Sequence, residues 1–219
     1  MDRPIRVVPA ILTDNPDALA KMLRQAEAFT DWAQVDIMDG RFVPSHSITS
    51  RDIAAVNTKL GWEAHLMVQQ PEEYLGGFRQ AEAQRVIFHY EAIDSPQQVI
   101  QQARNIGIDI GIALNPETDT EDIESLIPDL NCVLFMAVHP GFYGSKFIPE
   151  VLDKIAAFRR KHPDIEIGID GGINENNIVR VARSGVDSIY VGSAIFLSDN
   201  PAESYQYLLT LANGASGSF

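Results

Sequence analysis

Two hydrophobic rhythms alternate along the chain. Compact apolar runs rich in Val, Ile, Leu and Phe occupy 5–9, 33–38, 63–67, 85–89, 109–114, 132–138, 166–169 and 188–191. Each of these eight runs has the length and composition of a buried β-strand. Between them apolar residues recur three and four apart, as in Leu19, Met22, Leu23, Ala26 and in Val99, Ala103, Ile106, which turns one apolar face of a helix toward a sheet. Start signals agree with that reading: Asp14-Asn15-Pro16, Ser95-Pro96 and Asn174 stand before the first, fourth and seventh helices.

The alternation is strict, and no linker rich in Pro, Gly or Ser divides the chain. One α/β catalytic domain over 1–212 is therefore expected, with a disordered tail over 213–219. Eight βα units close naturally into a single (β/α)8 (TIM) barrel. An open doubly wound sheet would carry a GxGxxG turn after its first strand, and Pro9-Ala10-Ile11-Leu12-Thr13-Asp14 is nothing like one.

In such a barrel the C-terminal mouth gathers the strand ends from distant parts of the sequence. Three polar clusters sit at these ends: Asp36-Ile37-Met38-Asp39-Gly40, His65-Leu66-Met67 and Asp170-Gly171-Gly172. Two carboxylates and an imidazole around one small molecule form an acid/base site, with or without a metal. Glycines follow the seventh and eighth strands, at Gly171, Gly172 and Gly192-Ser193. Barrel enzymes often hold a phosphate at this position on backbone N–H groups, and Ser193 adds a hydroxyl. After the sixth strand, His139 to Lys146 is longer than a minimal turn. Its Gly141, Phe142, Tyr143 and Gly144 suit a lid that excludes water.

Composition narrows the partners. Apolar residues make up 45% of the chain, enough for a sizeable core, and the net charge of −13 disfavours nucleic acid and anionic membrane. The single cysteine, Cys132, lies in an apolar run and is read as a core thiol in a reducing compartment. The first residues lack the order of a secretory signal, and no apolar stretch is long enough to span a bilayer. A soluble, cytoplasmic protein is expected.

Taken together, Pro9 to Leu12, Val35 to Pro44 (VDIMDGRFVP), His65 to Val68 (HLMV), Phe88-His89, Ala113 to Pro116 (ALNP), Pro140 to Phe142, Lys146 to Ile148, Asp170 to Ile173 and Gly192 to Phe196 (GSAIF) resemble the ribulose-phosphate 3-epimerase family. The likeness runs from about Val7 to Phe196. It implies a (β/α)8 barrel and reversible inversion at C3 of a ketopentose phosphate through an enediolate, with Asp36 and Asp170 as the acid/base pair. It also implies one divalent metal ion (manganese, zinc, iron(II), cobalt or magnesium) on Asp36, His65 and Asp170, with His65 near substrate, and a homo-oligomer. Met38, Met67 and Met136 resemble the family's apolar cap over the planar intermediate, although a plain core role fits each of them equally well.

Several positions depart from the family pattern. Gln34 stands where the family has its first metal-ligand histidine, and Ala10 where it has a serine. Three readings of Gln34 compete: a ligand through its amide oxygen, a hydrogen-bond partner of substrate in a metal-free site, or a bystander replaced by another group such as His139. A glutamine oxygen suits manganese or magnesium better than zinc or iron(II). His89 is read as support for the site. Tyr143 and Ser145 also depart, so a hexulose phosphate remains compatible with the sequence. Two rival classes are a barrel lyase of the orotidine-phosphate decarboxylase kind, against which Met38 stands where a lysine is needed, and a non-catalytic phosphosugar-binding protein. Retention of both aspartates and His65 weighs against the second.

Overall fold

The computed structural model describes residues 4–141 and 146–214. Its strands are β1 (Arg6–Ile11), β2 (Trp32–Met38), β3 (Gly61–Met67), β4 (Arg85–His89), β5 (Asp109–Leu114), β6 (Cys132–Met136), β7 (Glu166–Asp170) and β8 (Ser188–Val191). All pair in parallel with their sequence neighbours, and β8 returns to β1, giving the closed barrel that the alternation implied. The helices are α1 (Pro16–Ala26), α2 (Ser50–Ala54), α3 (Leu75–Gln80), α4 (Pro96–Ile106), α5 (Val151–Lys161), α6 (Ile178–Ala182), α7 (Ser193–Phe196) and α8 (Pro201–Gly214). Between β5 and β6 the connection is a 3-10 stretch, Thr120–Asp129, interrupted by Pro128, whose missing N–H disfavours a regular α-helix.

The first helix shows how local sequence sets the packing. Asn15 caps α1 by accepting from the backbone N–H of Asp17 and Ala18, Pro16 follows at the first helical position, and Leu19, Leu23 and Ala26 bury one face against the barrel. Outward-facing strand residues join such helical faces in one large core. Inward-facing residues form a second, including Val8, Ile87, Leu134, Met136 and Tyr190, so the barrel is filled. Cys132 belongs to this inner core, and burial pushes its thiol up to about 12.

Two expectations need correction. Asn174 does not cap the seventh helix: it forms a turn in which Oδ1 accepts from the N–H of Asn176, and α6 starts at Ile178. Nor does a tail begin at Asn213, because α8 continues to Gly214. The Asn213 side chain accepts from Ile5 N at 3.0 Å and donates to Ile5 O at 3.0 Å, clasping the last helix to the residue that leads into the first strand.

Strand register places the polar residues. Asp36 lies beside His65, Gln34 beside Glu63, Glu63 beside Arg85, and Met136 beside Asp170. Because side chains alternate between faces, Gln34, Asp36 and Met38 share the inner face of β2, as do Glu63, His65 and Met67 on β3. The inner wall is thereby layered, with ions at the N-terminal end, acid/base groups above them and methionines at the mouth.

Candidate active site

At the mouth, Asp36, His65 and Asp170 converge as the sequence suggested. His65 Nδ1 lies 2.9 Å from Asp36 Oδ1 and 3.7 Å from Asp170 Oδ2. One potential ligand atom from each of the three falls within 4.8 Å of the others. Two carboxylate oxygens and an imidazole nitrogen this close, and mostly shielded from water, fit a hard or borderline divalent cation. His65 itself is fully buried beneath the carboxylates, with both ring nitrogens engaged, and is absent from the wall of the cavity that Asp36 and Asp170 line. Register thus sets His65 one layer below the carboxylates that face the cavity.

The electrostatics separate these groups. Burial and the neighbouring Asp36 charge push the Asp170 carboxyl up to about 7. At neutral pH it can therefore carry or release a proton. Burial opposes charge on His65, but the Asp36 hydrogen bond and the two aspartate charges outweigh it and raise its pKa. His89, also fully buried, is pushed down to about 4, chiefly by burial and with a contribution from His65. Its Nε2 lies 3.0 Å from His65 Nε2, which makes it the supporting histidine that the sequence suggested.

Gln34 is wholly buried and points its amide nitrogen at Glu63 Oε1, 3.1 Å away, while its Oε1 has no hydrogen-bond partner. Beneath it lies a cluster that sequence reasoning missed. Arg85 Nε donates to Glu63 Oε2 at 2.6 Å, and its two terminal nitrogens donate to Glu166 at 3.0 and 3.1 Å. Arg6 donates to Glu166 as well, at 2.5 Å. Period-two spacing was the available signal, since Glu63 stands two before His65 and Glu166 four before Asp170, each pair on one face.

The remaining candidates divide. Met38, Met67 and Met136 line the mouth cavity together with Ala10, Gly141, Gly171, Gly172, Gly192 and Ser193. Met38 and Met67 pack with Val43 as an apolar cluster. At Gly171, φ is +113° and an added Cβ would sit 2.5 Å from Val138, so the backbone there tolerates only glycine. Phe142, Tyr143 and Gly144 lie outside the described residues, as does Ser145. His139 is exposed, with Nε2 3.3 Å from Glu117, and is not among the three grouped donors. The idea that it replaces Gln34 is therefore set aside. Asp39 is likewise structural, accepting from the N–H groups of Arg41, Phe42 and Gln69.

A filled parallel barrel whose mouth sets two aspartates over one imidazole, beside a glycine-lined cavity, defines a barrel enzyme suited to moving protons on a small substrate. The comparisons agree. The profile of the Ribulose-phosphate 3 epimerase family matches residues 6–196. The ribulose-phosphate 3-epimerase of Synechocystis is 38% identical over 93% of this chain and 92% of its own. That of Bacillus subtilis is 36% identical over 88% and 92%. The chain belongs to the ribulose-phosphate 3-epimerase family, and is an isomerase of the sugar-phosphate epimerase type. Among solved structures, 3-hexulose-6-phosphate synthase from Salmonella typhimurium superposes with a TM-score of 0.74 at 15% identity, covering 96% of this chain and all (100%) of that one. This likeness is one of fold. No helix among the described residues is long and apolar enough to cross a membrane.

Proposed function

We propose that the protein interconverts D-ribulose 5-phosphate and D-xylulose 5-phosphate by proton transfer at C3, with Asp36 and Asp170 alternating as base and acid. The observation that carries this reading is the pair itself: two carboxylates line one cavity, share His65, and Asp170 is raised to about 7, so one can be ionised while the other holds a proton. Removing the C3 proton from one face and returning one to the other inverts the centre. Met38, Met67 and Val43 keep water from the planar enediolate between these steps. The phosphate end is assigned to Gly171, Gly172, Gly192 and Ser193, which line the same cavity.

Asp36, His65 and Asp170 are the proposed holders of one divalent cation, which would supply Lewis-acid stabilisation of the charge that develops on the enediolate oxygens. Gln34 is the candidate fourth donor, supported by its buried Oε1 that lacks any partner. The test is deuterium wash-in at C3 of ribulose 5-phosphate in D2O, using protein stripped of metal and resupplied with manganese, zinc, iron(II), cobalt or magnesium. Exchange restored by a cation supports the assignment. Absence of exchange with this sugar, but exchange with a hexulose 6-phosphate, would move the substrate and leave the chemistry in place.

A further inference from the structure

The first strand gives out before the active site is reached. β1 pairs with β2 at Ala10 with Gln34 and at Ile11 with Val35, and ends there, whereas β3 stays beside β2 as far as Met38 with Met67. Asp36 and Met38 therefore lie on a length of β2 that has lost its ladder on the β1 side. Carried two residues further, the same register would set Thr13 opposite Ile37, with its N–H on Asp36 O and its carbonyl on Met38 N–H. Those two peptide groups need another partner.

Ser47, from the loop after β2, supplies it with one hydroxyl. Its Oγ donates to Asp36 O at 2.8 Å and accepts from Met38 N at 2.8 Å. The single hydroxyl proton belongs to Asp36 O, since the Ile48 carbonyl stands farther off at 3.5 Å. The Ser47 backbone N–H donates to Met38 O at 3.1 Å, and the next N–H, of Ile48, donates to Thr13 O at 3.1 Å. The loop is thus wedged between the diverging strands, and the hydroxyl does for the peptides on either side of Ile37 what a neighbouring strand would do.

Both side chains on this length of strand matter to the reaction. Asp36 is half of the acid/base pair, and Met38 packs with Met67 and Val43 at the mouth. Backbone dihedrals over 36–38 set where each side chain stands on the inner face, and a catalytic group displaced by about 1 Å can cost roughly 100-fold in rate. We propose that Ser47 is a positioning residue for proton transfer at C3, its hydroxyl standing in for the missing strand and holding the Asp36 carboxylate and the Met38 side chain in place. The proposal rests on the reading of Asp36 as an acid/base residue. The backbone clamp does not.

Ser47→Ala and Ser47→Val remove the hydroxyl, and Ser47→Thr, close to Val in volume, keeps it. In S47A and S47V, kcat for C3 epimerisation should fall about 10–100-fold with KM little changed. Hydrogen-exchange NMR should show the Met38 amide losing its protection in both. S47T should match the native protein in rate and in protection. Kinetics are measured well below the Tm of each variant, so that a loss of stability alone leaves kcat unmoved. A native kcat in S47A, an S47T as slow as S47V, or a Met38 amide that stays protected in S47A overturns the proposal. Exchange at C3 that survives in Asp36→Asn overturns the acid/base reading instead, and a Met38 amide released in S47A would then still establish the clamp.

Discussion

Arg85 holds together the ions beneath the active site, and replacing it with methionine isolates their energetics. In Arg85→Met, Glu63 loses its 2.6 Å partner and keeps only the Gln34 amide at 3.1 Å, in a position with no solvent exposure. Glu166 fares better, since it retains Arg6 at 2.5 Å and Ser188 at 3.1 Å and its side chain is 23% exposed. Most of the cost therefore falls on Glu63. Breaking a buried pair by removing one partner costs about 3–5 kcal/mol. For a domain of this length each kcal/mol lowers Tm by about 2–4 °C, so a fall of roughly 6–20 °C is expected at neutral pH. Scanning calorimetry and urea unfolding at pH 7.5 would measure it. The double variant Arg85→Met, Glu63→Gln removes the stranded charge and should recover most of the loss. A single variant that loses less than about 1 kcal/mol, or a double variant no more stable than the single, would refute the assignment of the cost to an unpaired Glu63.

Further outcomes are expected at the site itself. Asp36→Asn and Asp170→Asn should each abolish C3 proton exchange, with a circular-dichroism spectrum like that of the native protein, and exchange surviving in either would remove that residue from the acid/base pair. The raised Asp170 and His65 values both mean that folded, metal-free protein holds protons more tightly than unfolded chain. That stability is present below their ordinary values and is lost as pH rises through the folded ones; buried His89, pushed down to about 4, works the other way, and with two groups against one the metal-free protein should melt lower at pH 8 than at pH 6. Saturating manganese should flatten the difference, and fluorimetry showing equal Tm at both pH values without metal would count against it. Gln34→His should raise zinc affinity in chelator competition, because imidazole is the better zinc ligand. Unchanged affinity would exclude position 34 from the metal shell.

The barrel was legible because each strand is a short, mostly apolar run set off from helix-period segments, and closure needs nothing beyond eight such units. The convergence of Asp36, His65 and Asp170 was legible because all three fall toward the C-terminal ends of their strands. Glu63, Arg85 and Glu166 were not, since each looks like the polar edge of a run. Only the register that aligns Gln34 with Glu63 and Glu63 with Arg85 reveals that they meet inside. Asn174 misled because a capping residue type also forms turns, and here Asn177 stands immediately before the helix instead.

The pairing of β1 with β8 has a consequence for synthesis on the ribosome. One side of the first strand finds its ladder only when Ser188–Val191 emerges, 182 residues after Arg6 in the aligned pair. At about 5–20 residues per second, that edge waits on the order of 10–40 s with unpaired backbone groups, a template on which a second nascent chain could add. Arg6, carried at the start of this edge and later neutralised by Glu166, discourages such pairing during the wait. The same guanidinium thus guards the open ring and then helps to seal it.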